Sequence, residues 1–186
     1  MVRLELLDER HVGALRAAAT ADPAMSARLP VPLHEPSWFD WWLDDARRAF
    51  AERREVTFAT VRAADGVPVG SSRFMELRER DRSVEIGWTW LAPSAWRTGA
   101  NVEAKLLMLG AAFERAGCVR VELKTDARNE RSRAAMAALP AQFEGIHRRH
   151  KLLLDGSWRD SAWYSVIDAE WPEVRANLER RLAARA

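Results

Sequence analysis

The sequence predicts a single-domain mixed α/β (α+β) fold, a central sheet with helices on its faces. Three observations predict it. The chain has 186 residues, the size of one domain rather than two, and long enough to bury roughly 70% of the surface its unfolded form exposes. Segments with strand and helix periodicity follow one another as strand, one or two helices, three-strand meander, helix, strand, helix and two-strand hairpin. Two Asp-Gly pairs, Asp65-Gly66 and Asp155-Gly156, fall where a tight turn joins two such strands.

Arg3 to Leu7 alternates as a short strand, and Asp8 with Glu9 opens a helix to about Ala19. The stretch from Ala21 to Pro36 holds Pro23, Pro30, Pro32 and Pro36 and reads as a loop. Ser37 then serves as N-cap for a helix to about Arg53, with Trp38, Phe39, Trp42, Leu43, Ala46 and Phe50 at helical spacing. Val56 to Val61 and Val67 to Leu77 form the first hairpin, and Val84 to Leu91 the next strand. In that strand Val84, Ile86, Trp88 and Trp90 share one face by alternation, and Glu85, Gly87, Thr89 and Leu91 the other. A glycine in mid-strand, Gly87, marks a bulge or the close approach of another backbone or ligand.

Pro93 to Asn101 is a break before a helix from Val102 to Ala116, with Val102, Leu106, Leu109, Gly110 and Phe113 on one face and Gly117 just past its end. Val119, Val121 and Leu123 alternate with Arg120, Glu122 and Lys124 as a strand, and Asn129 to Leu139 is a helix that Pro140 stops. Phe143 to Leu154 and Ser157 to Ile167 form the final hairpin. Residues from Asp168 to Ala186 close the chain as a helix with Val174, Leu178 and Leu182 as a thin apolar stripe.

Composition narrows the function classes. Charged residues are 30% and apolar ones 48%, an ordinary globular balance. The 29 Lys and Arg nearly cancel 27 Asp and Glu, so nucleic acid is not an expected partner even with a pI near 9.1. The single Cys118 excludes an internal disulfide, and with His11, His34, His147 and His150 scattered no metal is expected. No stretch approaches the ~20 apolar residues of a membrane span, and Arg3, Glu5, Asp8, Glu9 and Arg10 crowd the start, so a cytoplasmic protein is expected. Nine Trp supply large stiff surfaces for a core, a cleft or an interface, and a homodimer is an open option.

Three places could hold chemistry. Trp96-Arg97-Thr98-Gly99-Ala100-Asn101 joins a strand to a helix, where unpaired N–H groups, a glycine and a cation make an anion site; a plain turn is the alternative. Glu85, with Thr89 on the same polar side, is a general base if that side lines a cleft, and otherwise a surface carboxylate. Asn129 and Ser132 share one helical turn, as ligand contacts or as an N-cap and an exposed residue. The run His147-Arg148-Arg149-His150-Lys151 lacks interleaved aromatics and reads as a solvated sheet edge. Cys118 reads as an inert small apolar residue, and Trp38, Trp41 and Trp42 as core with one indole left to line a cleft.

The segments Val84-Glu85-Ile86-Gly87-Trp88, Trp96 to Ala104, Val121 to Ala134, Phe143 to Arg148 and Asp160 to Val166 together resemble the GNAT superfamily of N-acetyltransferases, most closely its RimJ/RimL-like branch of ribosomal-protein alanine acetyltransferases. Asp126-Ala127-Arg128-Asn129-Glu130-Arg131-Ser132 is the most specific part. The resemblance implies a mostly antiparallel sheet of about six or seven strands and an acetyl-CoA-dependent transfer to a primary amine, such as a peptide N-terminus. It places the acetyl-CoA pyrophosphate on Arg97, Thr98, Gly99, Ala100, Asn101 and Val102, and the pantetheine beside Glu85 to Leu91, with Trp90 and Leu91 in contact. It gives Asn129 a contact to the pantetheine arm, Ser132 the proton for the departing thiolate, and Glu85 the acceptor's proton. The usual Gln/Arg-x-x-Gly-x-Gly/Ala loop here has Trp96 first and Asn101 last, and Met136 stands where many relatives carry a catalytic Tyr. The alternatives are a non-catalytic acyl-CoA-binding protein on the same fold and an acetyltransferase of small molecules such as polyamines or aminoglycosides.

Overall fold

The computed structural model describes residues 1–27 and 29–185. Seven strands form one open sheet: β1 (Val2–Leu6), β2 (Val56–Arg62), β3 (Pro68–Arg78), β4 (Ser83–Leu91), β5 (Arg120–Asp126), β6 (Gln142–Leu152) and β7 (Trp158–Ile167), in the order β1-β2-β3-β4-β5-β7-β6. Every neighbouring pair is antiparallel except β4 and β5. Five helices flank it: α1 (Glu9–Thr20), α2 (Pro36–Ala51), α3 (Ala100–Gly110), α4 (Glu130–Ala137) and α5 (Trp171–Ala183). Among the described residues no helix is long and apolar enough to cross a membrane.

Two apolar layers hold the sheet. On one face Leu15, Phe39, Trp42 and Leu43 of α1 and α2 pack on Ala59, Val61 and Trp90. On the other, Val102, Met108 and Leu109 of α3 and Trp171, Val174 and Leu178 of α5 pack on Val84, Ile86, Val121, Leu123, Tyr164 and Val166. The α1–α2 face is tied down by Arg73 of β3, fully buried, which donates to Asp45 at 2.8 Å, Glu55 at 2.9 Å and the Trp42 carbonyl at 3.0 Å.

Several expectations need correction. The second helix begins at Pro36 with Glu35 as its cap rather than at Ser37, because proline at the first turn presets helical φ and needs no donor. Its Phe50 lies on the outer side, half exposed, and Ala49 takes the buried place. The fourth strand does not keep one alternation. An extra residue falls between the pairs Ser71↔Trp90 and Arg73↔Gly87, where Trp88 adopts φ +47°, and this bulge exchanges the two faces. Val84, Ile86 and Leu91 pack toward α3, as does Thr89 through Lys105, whereas Glu85, Gly87, Trp88 and Trp90 share the α2 face.

Candidate active site

The parallel pair β4–β5 is registered only over Ser83↔Arg120, Val84↔Val121 and Glu85↔Glu122. Beyond Glu85 the two strands part, although β3 still pairs β4 as far as Leu91 and β7 still pairs β5 as far as Asp126. The inner edges of Gly87 to Leu91 and Leu123 to Asp126 are therefore left without a strand partner. Such a wedge offers backbone donors and acceptors to an extended chain. Gly87 at its apex lets the Met75 side chain lie against the backbone: a Cβ there would stand 2.5 Å from Met75 Sδ and 3.0 Å from Glu85 Oε1.

At the wide end of the wedge lies the loop into α3. Gly99, at φ +97°, caps the helix in the left-handed conformation, and Arg97 before it has φ +61°. Thr98 Oγ1 donates to the Ala95 carbonyl at 2.8 Å and lies 3.3 Å from the Ala100 N–H, which fixes the turn. The first-turn N–H groups of Asn101 and Val102 have no intrahelical acceptor, and the positive end of the helix dipole is there. Asn101 Oδ1 is buried with no hydrogen-bond donor among the described residues. Free donors and the exposed Arg97 guanidinium fit a pyrophosphate, while the side chains of Met1 and Arg185 lie over Gly99. Trp96, in the first loop position, serves structure instead: its Nε1 donates to the Leu91 carbonyl at 2.7 Å, and the Arg131 guanidinium lies 4.2 Å from its ring centre.

Glu85 sits at the apex and is only 1% exposed. Lys124 Nζ donates to its Oε2 at 2.5 Å and lies 4.8 Å from the ring centre of Trp163, the cross-strand neighbour of Lys124. Burial pushes the Glu85 carboxyl above the ordinary carboxylate range, and the Lys124 ammonium holds it part of the way back. A buried carboxylate so placed can accept a proton from an incoming ammonium. The run from His147 to Lys151 lies on the edge strand β6, with His147, Arg148 and Arg149 exposed as expected and His150 and Lys151 half-buried. A register shift with Arg149 at φ +48° turns His147 onto the Trp163 ring, 4.2 Å between centres, and brings His150 Nδ1 to 3.0 Å from Ser161 Oγ. Lys151 is half-buried, and its own burial together with Lys124 and Arg159 pulls its ammonium below the usual lysine value.

Asn129 is the N-cap of α4, its Oδ1 accepting from the Ser132 N–H at 3.1 Å, which leaves its amide nitrogen free to donate to a ligand. Ser132 is half-buried beside it. The alternation of β4 placed Thr89 beside Glu85; the bulge carries it to the opposite face, where Ser72 Oγ lies 2.7 Å away and Lys105 Nζ donates to it at 2.7 Å. Lys105 itself was missed. It is fully buried with no carboxylate partner among the described residues, and burial brings its ammonium down to about 7. The available signal was a lysine on the apolar side of the helix, between Val102 and Leu109. Trp41 is the indole left outside the core, exposed and 6.3 Å from Trp88, ring centre to ring centre.

The family described as Acetyltransferase (GNAT) domain matches residues 2–141. A GCN5-related N-acetyltransferase from Brucella melitensis is 31% identical over 96% of this chain and 81% of its own, with a TM-score of 0.88. Mycobacterium smegmatis RimJ in complex with CoA-disulfide is 24% identical over 99% of this chain and 90% of its own, TM-score 0.82. A spermidine N-acetyltransferase from Vibrio cholerae in complex with CoA and spermine is 14% identical over 92% of this chain and 98% of its own, TM-score 0.75. The last two are likenesses of fold alone. No curated protein matches the chain.

Proposed function

The chain belongs to the GNAT acetyltransferase family, and from that premise we propose that it transfers the acetyl group of acetyl-CoA directly to a primary amine, a peptide N-terminus or a small molecule. The observation that supports this reading is the wedge between β4 and β5, with a buried carboxylate at its apex and an anion-friendly helix start at its mouth. A RimJ/RimL-like role, with a peptide amine as acceptor, is supported by the sequence segments named above and by the fold shared with RimJ. The fold is also shared with a spermidine N-acetyltransferase, so a small-molecule amine is the second acceptor class.

In this reading Arg97 and the N–H groups of Gly99 to Val102 hold the pyrophosphate, and the inner edge of β4 from Gly87 to Leu91, with Asn129 opposite, holds the pantetheine. Acetyl-CoA supplies the activated acetyl group. Glu85 takes the proton that the acceptor ammonium must lose before its nitrogen can attack. A free β4 N–H near Thr89 to Leu91 donates to the carbonyl oxygen as charge develops on it. The Ser132 hydroxyl gives a proton to the departing thiolate, a modest contribution because a thiolate leaves readily. Cys118 takes no part: burial pushes its thiol up, away from the reactive thiolate.

Thiol release from acetyl-CoA, followed with peptide amines, polyamines and aminoglycosides, tests the reading. The wild type should turn over at least one acceptor, and Glu85→Gln should lower kcat by roughly 10²–10⁴-fold while acetyl-CoA affinity stays the same. Binding of acetyl-CoA without turnover of any amine would instead mark an acyl-CoA-binding protein.

A further inference from the structure

The face of the sheet that presents Glu85 carries more positive charge than its own acids can neutralise. Arg159 of β7 is 7% exposed, and its one side-chain hydrogen bond runs from Nε to Ser161 Oγ at 3.1 Å. Its two terminal nitrogens have no partner among the described residues, yet they are not sealed from solvent. Neither Arg159 nor Lys151, its cross-strand neighbour, lies within ion-pair distance of a carboxylate among the described residues. The other deeply buried guanidinium, Arg73, holds two carboxylates and a carbonyl.

The acids that face this cluster are already engaged. Glu85 is held by Lys124, Asp126 by Arg128 through both oxygens at 3.0 and 2.8 Å, and Glu76 stands at the exposed margin 3.9 Å from Arg78. His147 and His150 add two imidazoles against Trp163. Burial, and after it the charges of Lys124, Lys151, Arg159 and His147, pull His150 below the usual histidine value. A guanidinium cannot relieve such crowding by losing its proton, so it calls for an anion, and its planar fork matches a carboxylate or phosphate. Arg159 lies four residues, about 13 Å, along β7 from Trp163, and its side chain leans back toward Ser161, within reach of a small acceptor whose nitrogen is at Glu85.

We propose that the acceptor amine carries an anionic oxygen group, a carboxylate or a phosphate, seated on Arg159 and Lys151 beside His150. This rests on the acetyl-transfer reading for the amine end. The same charges reject polyamines, whose second ammonium would have to sit among unpaired cations.

Thermal unfolding of the wild type, Arg159→Gln and Lys151→Gln tests it, with and without CoA, against aspartate, O-phosphoethanolamine, ethanolamine and spermidine. Aspartate or O-phosphoethanolamine should raise the wild-type midpoint by several degrees, the larger shift identifying the anion, while ethanolamine and spermidine should not. Arg159→Gln should abolish that shift and Lys151→Gln reduce it, each leaving the CoA shift intact. Equal stabilisation by spermidine or ethanolamine, no shift with either anionic amine, or a shift that survives Arg159→Gln overturns the proposal. Loss of the CoA shift alone would count against the acetyl-transfer reading and not against the anion seat.

Discussion

Among the described residues the buried ammonium of Lys105 makes one hydrogen bond, to the Thr89 hydroxyl. Because its pKa falls from 10.5 to about 7, the folded chain binds fewer protons than the unfolded chain across that interval, and stability rises with pH there. Below pH 7 the full cost is present, on the order of 5 kcal/mol. Lys105→Met should therefore raise the unfolding midpoint most at pH 6, with the gain shrinking toward pH 10; a gain independent of pH would mean the ammonium is not the source. Glu85 behaves oppositely. The rate should rise with pH through its elevated pKa, and Lys124→Met, which removes the largest opposing influence, should move that acid limb to higher pH. An unmoved limb would detach Glu85 from the reaction. The polar position of Glu85 was legible in the strand alternation. Its burial and its partner were not, since Lys124 lies 39 residues onward and meets it only when β4 and β5 pair.

Among elements, β4 matters most, because one extra residue at Trp88 sets both the wedge and the side on which each residue falls. Periodicity located all seven strands and five helices to within a few residues, but it could not count through a bulge, and so it misplaced Trp88, Thr89, Trp90 and Leu91. Gly70 holds β3 close against the end of this strand: a Cβ there would come within 2.2 Å of the Trp90 carbonyl and 2.9 Å of Leu91 Cα. Gly70→Ala should cost at least 2 kcal/mol by forcing backbone apart, measurable as a lower denaturation midpoint. Arg73 does the equivalent work between β3 and α2. Arg73→Leu should lose roughly 3–5 kcal/mol because Asp45 and Glu55 lose the cation they share and Asp45 keeps only the exposed Arg48. Restoration of stability by the further change Asp45→Asn would identify charge, rather than lost packing, as the cause.

At the scale of the molecule, α1 and α2 cover β2 to β4 on one face while α3 and α5 cover the other, and the sheet opens between them where the parallel pair β4–β5 separates. The wedge runs from Glu85 at its apex to the Gly99 helix start at its mouth, and the unpaired cations of β6 and β7 stand on the Glu85 face of the sheet. Thermal unfolding with acetyl-CoA, CoA, ATP and no ligand tests the donor site most directly. At about 100 times the dissociation constant a ligand adds ~2.7 kcal/mol, which for a chain of this size is a rise of roughly 5–11 °C. The account predicts that rise with acetyl-CoA and with CoA and none with ATP, whose phosphates have no pantetheine to lie in the wedge. No shift with acetyl-CoA or CoA would contradict it.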